Sequence, residues 1–90
     1  MANHKSAIKR DRQSKIRRMR NRMNKKRMKT AIRRVEEAIA AGLEEEARAK
    51  LRMAIPVIHR TAVKGSIHKK TASRKVSRLT RRVNKMQVAA

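Results

Sequence analysis

The chain contains no Phe, Tyr or Trp. Proteins that read unpaired bases usually stack them on aromatic rings. A nucleic-acid partner would therefore be held by its phosphates and its shape, which favours structured RNA or duplex DNA over a single strand. Cysteine is absent too, which excludes disulfides and thiolate metal sites and gives no sign of an oxidising compartment. No apolar run approaches the roughly 20 residues of a membrane span. Residues 1–10 lack the apolar stretch of a secretory signal. An Arg-rich, acid-poor N-terminus can suggest a transit peptide, but here the basic pattern continues through Arg34 and recurs at the C-terminus. A cytosolic protein is the expectation.

Large aliphatic residues are scarce as well. Leu, Ile and Val number 3, 7 and 6 of 90 residues, a share typical of disordered chains when net charge is high. Six Met and thirteen Ala fill gaps but bury little area each. The expectation is one domain with a small core, only partly folded until a partner neutralises its charge.

What the chain has is positive charge. Twenty-eight Lys and Arg against six acids give a formal net charge of +22, so the partner is a polyanion. The charge divides the chain into three. Residues 1–34 carry fifteen cations and one acid, Asp11. Residues 35–63 carry four cations and five Glu, and residues 64–90 carry nine cations and no acid. The near-neutral middle suits an element that packs against the others.

All three segments read as helix. The two glycines stand where helices should end, Gly42 after Ala38-Ile39-Ala40-Ala41 and Gly65 after Lys64. Glu44, Glu45 and Glu46 put negative charge at the positive end of the second helix. The third helix should begin near Ser66 or Ile67. Apolar residues recur at helical spacing in each segment. They are Met28, Ala31, Ile32, Val35, Ala38 and Ile39 in the first, and Ala47, Leu51, Ala54, Ile55, Ile58 and Ala62 in the second. The third segment has Ala72, Val76, Leu79, Val83 and Met86. Upstream, Ile8, Ile16, Met19 and Met23 lie on a different arc, turned by roughly 120° on the wheel. The first helix, expected from Ser6 to Ala41, therefore changes role near Lys25. Pro56 lies opposite the second stripe and either bends that helix or breaks it at Ile55. The unbroken phase of the stripe favours a bend.

The predicted fold is all-α: a three-helix bundle over residues 28–90 and a highly basic helical arm, residues 1–27, that extends beyond it. In the third helix Arg74, Lys75, Arg78, Arg81, Arg82 and Lys85 lie opposite the apolar stripe. Ser73, Ser77, Thr80 and Asn84 border them. A solvated charged face mixes signs; this one holds six cations and no acid, which points to phosphate. The arm is basic nearly all round, through Lys5, Lys9, Arg10, Arg12, Lys15, Arg17, Arg18, Arg20, Arg22, Lys25, Lys26, Arg27 and Lys29. Its Ser6, Ser14, Asn21 and Asn24 add neutral donors. Repulsion should leave the arm at least partly melted when free, and phosphate should order it. His4, His59 and His68 are too scattered for a metal site, with His59 on the surface. No catalytic constellation or cofactor motif is visible, so no enzyme is expected.

Ala2-Asn3-His4-Lys5-Ser6-Ala7-Ile8-Lys9-Arg10, with Ser14-Lys15 and Asn21, resembles the opening of the bacterial small-subunit ribosomal protein S20 family. Thr30-Ala31-Ile32-Arg33-Arg34, Ala38-Ile39 and Gly42 fit its middle. Lys64-Gly65-Ser66-Ile67-His68-Lys69, then Ala72, Arg74 and Ser77-Arg78-Leu79, is similar to its C-terminal signature. The likeness covers nearly the whole chain, in order. It departs at Leu43, His59 and Lys70, and Leu43 removes a side-chain cap from the second helix. The resemblance implies a three-helix bundle with a long first helix, bound directly to 16S rRNA early in assembly of the 30S subunit, with no homo-oligomer. It also brings Asn3, Lys64, Gly65, His68, Lys69 and Lys70 into the RNA-binding set. Charge and periodicity alone leave two rivals. One is a nucleoid-associated, DNA-compacting protein. The other is a membrane-active amphipathic helix, which the lack of Trp and Phe disfavours.

Overall fold

The computed structural model describes the backbone of residues 2–89 and the side chains of residues 5–86. Those residues form three helices in chain order: α1 (Ala2–Ala40), α2 (Glu44–Val63) and α3 (Lys69–Ala89). At ~1.5 Å per residue α1 is about 58 Å long, roughly twice the length of either partner. The molecule measures 69 × 21 × 14 Å. Its radius of gyration is 18.0 Å, where a compact chain of this length would have about 12 Å. The shape is a short bundle with a rod projecting from it.

Two copies of one glycine motif set the topology. At the end of α1 the Gly42 N–H donates to Ile39 O at 3.0 Å and the Leu43 N–H to Ala38 O at 3.0 Å. At the end of α2 the Gly65 N–H donates to Ala62 O at 2.9 Å and the Ser66 N–H to Thr61 O at 3.1 Å. Each is a Schellman turn, which needs a left-handed residue just past the helix. The two glycines, at φ of 72° and 79°, supply it. Leu43 closes the first turn and opens α2 directly, with no side-chain cap. Glu44, Glu45 and Glu46 in the first turn of α2 favour its start through the dipole instead.

The expected start of α3 at Ser66 or Ile67 is corrected to Lys69. Ser66 is committed to the second Schellman turn and cannot also begin a helix. His68 then caps α3: its Nδ1 accepts the Lys70 N–H at 3.1 Å and its carbonyl the Ala72 N–H at 3.1 Å. α2 runs through Pro56 without a break. The ring is exposed, as is Arg52, whose carbonyl loses its helical donor to the missing proline N–H.

The core holds the expected stripes. Met28, Val35, Ala38, Ala47, Leu51, Ala54, Ile58, Ala72, Leu79 and Val83 are buried. Ala31, Ile32, Ile39, Ile55, Ala62, Val76 and Met86 pack against them from partly exposed positions. Four of the ten buried side chains are Ala, so the helices approach closely but remove little apolar area from water. α2 is the central element. It packs against both neighbours, while α1 and α3 touch each other least. Thr61 is buried too, its hydroxyl donating to Val57 O at 2.7 Å.

Candidate RNA interface

The interface begins where in-chain burial stops. From Lys5 to Arg20 every side chain of α1 is exposed. The projecting segment therefore offers its cations in all directions, and it has one ion pair, Lys15 to Asp11 at 3.2 Å. Only Lys15, Arg33, Arg48 and Arg82 have an acid partner among the described residues. The other described cations are uncompensated among the described residues.

Three cationic surfaces follow from the helix geometry. The outer face of α3 forms a shallow trough lined by Lys69, Lys70, Ser73, Arg74, Ser77, Arg78 and Arg81. The i, i+4 and i, i+3 spacing from Lys70 through Arg74 to Arg78 and Arg81 puts these side chains in one row. No acid lines the trough. Lys85 is exposed further along α3.

A second surface joins distant segments. Arg17, Arg20 and Arg27 on α1 meet Lys64 and Gly65 at the end of α2. Ser66 makes the join. It is 8% exposed, donates its hydroxyl to Asn21 Oδ1 at 3.0 Å and accepts from Asn24 Nδ2 at 3.1 Å. Asn21 and Asn24 stand one turn apart on α1, so a single hydroxyl bridges both. Lys64 and Gly65, which the sequence places beside the α3 cations, thus sit with the arm instead.

The third surface is a groove between α1 and α2, with Lys26, Arg27, Arg34, Arg60 and Lys64 around Met23, Thr30, Ala31, Val57 and Thr61. Arg34 and Arg60 escaped the reading of the sequence. The signal was present: Arg34 lies two turns beyond Arg27 on one face, and Arg60 one turn before Lys64.

The structure also corrects single residues. The Arg82 guanidinium bonds Glu36 Oε1 of α1 at 3.2 Å. It ties α3 to α1 rather than standing in an acid-free row, because the α3 helix turns it toward the one α1 segment that carries Glu. Lys75 is half-buried at the edge of the packed face, not opposite it. Asn21 accepts from Ser66 through Oδ1, which leaves its amide N–H groups as donors, while Asn24 donates through Nδ2 to the same hydroxyl. His68 uses Nδ1 to cap α3, which leaves Nε2 as its outward nitrogen. The remaining arm cations, Lys5, Lys9, Arg10, Arg12, Arg18, Arg22, Lys25 and Lys29, are all exposed, as are Ser6 and Ser14. The side chain of Asn3 lies outside the described residues. No group of His, Asp and Glu suited to a metal occurs among the described residues.

Residues 2–84 match the family described as ribosomal protein S20. The chain belongs to that family. Among its relatives, small ribosomal subunit protein bS20 of Syntrophobacter fumaroxidans is 61% identical over 84 residues, covering 93% of this chain and 98% of the relative. The bS20 protein of Desulfotalea psychrophila is 54% identical over 89 residues, covering 99% and 100%. That of Trichlorobacter lovleyi is 57% identical over 84 residues, covering 93% and 97%. The match covers α1, α2 and α3 as far as residue 84, and with them all three cationic surfaces. Membership in a family of ribosomal proteins makes this a structural protein and not an enzyme.

Proposed function

We propose that this protein is a component of the small (30S) ribosomal subunit that binds 16S rRNA directly, through phosphates and helix shape, and so helps to assemble and stabilise the subunit. It works on the cytoplasmic ribosome as a monomer. The observation that supports this most strongly is the acid-free trough on α3. Lys70, Arg74, Arg78 and Arg81 stand there one turn apart with Ser73 and Ser77 between them. Such a row matches a line of backbone phosphates, and serine hydroxyls are frequent phosphate and sugar ligands. The arm adds a cationic rod too long for the bundle to cover, which RNA segments can surround.

The experiment is sedimentation of cell lysate through a gradient after a moderate salt wash. The protein should travel with the small subunit. Recovery with bulk DNA, together with equal affinity for random duplex DNA and folded rRNA, would favour the DNA-compacting alternative.

A further inference from the structure

The four large apolar residues of the projecting segment are exposed and lie outside the core. Ile8, Ile16, Met19 and Met23 are 51%, 44%, 65% and 50% exposed. Single exposed apolar residues are ordinary, but four on one arc of a cationic rod call for a reason.

Their placement supplies one. Ile16, Met19, Met23 and Thr30 follow helical spacing along one side of α1. That side leads into the α1–α2 groove, which Met23, Thr30 and Val57 line. No α3 residue lines the groove. One track therefore runs from the arm onto the bundle. Its middle is apolar, and its bundle end is edged by Arg34 and Arg60. A membrane surface is a poor occupant, since large aromatics are absent. A second copy would bring its own uncompensated cations against these, at a net charge of +22 each. The occupant must be anionic at its edges and apolar or weakly polar between them.

We infer that this track is a second RNA site, which seats the ribose face of an RNA duplex in its shallow groove. The inference rests on the RNA-binding function proposed above. An A-form helix has a wide, shallow minor groove that displays sugars and base edges between two rows of phosphate. An α-helix is about 10–12 Å across, too broad for the ~6 Å minor groove of B-form DNA. Ile16, Met19 and Met23 would lie over the sugars, while Arg20 and Arg27 on one side of them and Lys26 on the other reach the flanking phosphates. Such contact recognises the RNA form of a duplex without reading its sequence and without aromatic rings.

The test compares the full chain with an Ile16→Gln, Met19→Gln, Met23→Gln variant. Affinities are measured for one RNA duplex and for a DNA duplex of the same sequence, across a salt series. Gln keeps helix propensity, and the three sites are outside the core, so the far-ultraviolet helical signal should be unchanged. The variant should lose about tenfold or more on RNA, the scale of removing part of three apolar side chains from contact. It should lose little on DNA, and the slope of affinity against salt should stay the same, since no phosphate contact is removed. An unchanged RNA affinity, or equal losses on RNA and DNA, would overturn the assignment while leaving phosphate binding by α3 intact. Wild-type self-association that the variant abolishes would give the track to a second copy and also overturn it. If the wild-type chain fails to bind RNA at all, the function proposed above falls with it.

Discussion

Ser66 donates its hydroxyl to the side-chain Oδ1 of Asn21 at 3.0 Å, across 45 positions of sequence. This bond, with its companion from Asn24, pins the turn between α2 and α3 to the point on α1 where the projecting rod begins. Ser66→Ala should lower stability by about 1–2 kcal/mol, since it removes a buried hydroxyl and leaves Asn21 and Asn24 with poorer partners. Urea unfolding of the variant would measure this. A midpoint equal to wild type would mean that the junction is held by other contacts.

The two faces of α3 should separate by mutation. Leu79 is 4% exposed. Leu79→Asp buries a charge in a small core and should abolish most of the helical signal. Replacing Arg74, Arg78 and Arg81 with Gln leaves the core untouched and should weaken RNA binding instead. Arg82 is left out of this triple because it holds Glu36. Its bond is half-exposed, so Arg82→Gln should cost at most about 1 kcal/mol of stability. Circular dichroism and a filter-binding assay on the same preparations decide the matter. Loss of helix in the triple Gln variant comparable with that of Leu79→Asp would refute the assignment of faces.

Salt should report the phosphate count. Even 6–10 phosphate contacts lose about 10³–10⁵ in affinity between 50 and 200 mM salt on the duplex-DNA scale. Each of Arg74, Arg78 and Arg81 changed to Gln should flatten the log–log slope by about one. A nearly flat wild-type slope would remove the electrostatic account.

Order in the rod should depend on RNA. Fixing one backbone residue costs roughly 1–2 kcal/mol, and every side chain from Lys5 to Arg20 is exposed, so little burial offsets it. Like charges along the helix repel as well. Amide exchange in the free protein should therefore be fast from Lys9 to Arg22 and slow around Val35, Ile58 and Val83. Bound RNA should slow the first group. Strong protection of Lys9 to Arg22 without RNA would show that the rod is stable by itself.

The sequence by itself determined the helices, their faces and the class of partner. Helical period is a local property, so the stripes through Val35, Ile58 and Leu79 could be read without knowing what they met. Net charge is a sum, so it needed no coordinates either. Both glycines announced their turns because only a left-handed residue closes a Schellman motif cheaply. Tertiary structure decided what depends on two distant segments meeting. It turned Asn21 and Asn24 toward Ser66, gave Arg82 to Glu36 and moved Lys64 from the company of α3 to that of Arg17 and Arg20. It brought Arg34 and Arg60 to opposite edges of one groove. It also delayed α3 to Lys69, because Ser66 is held by the turn before it. A hydrogen bond or an ion pair across 45 residues leaves no period in the chain, and only the packing of α1 against α2 brings its two ends together.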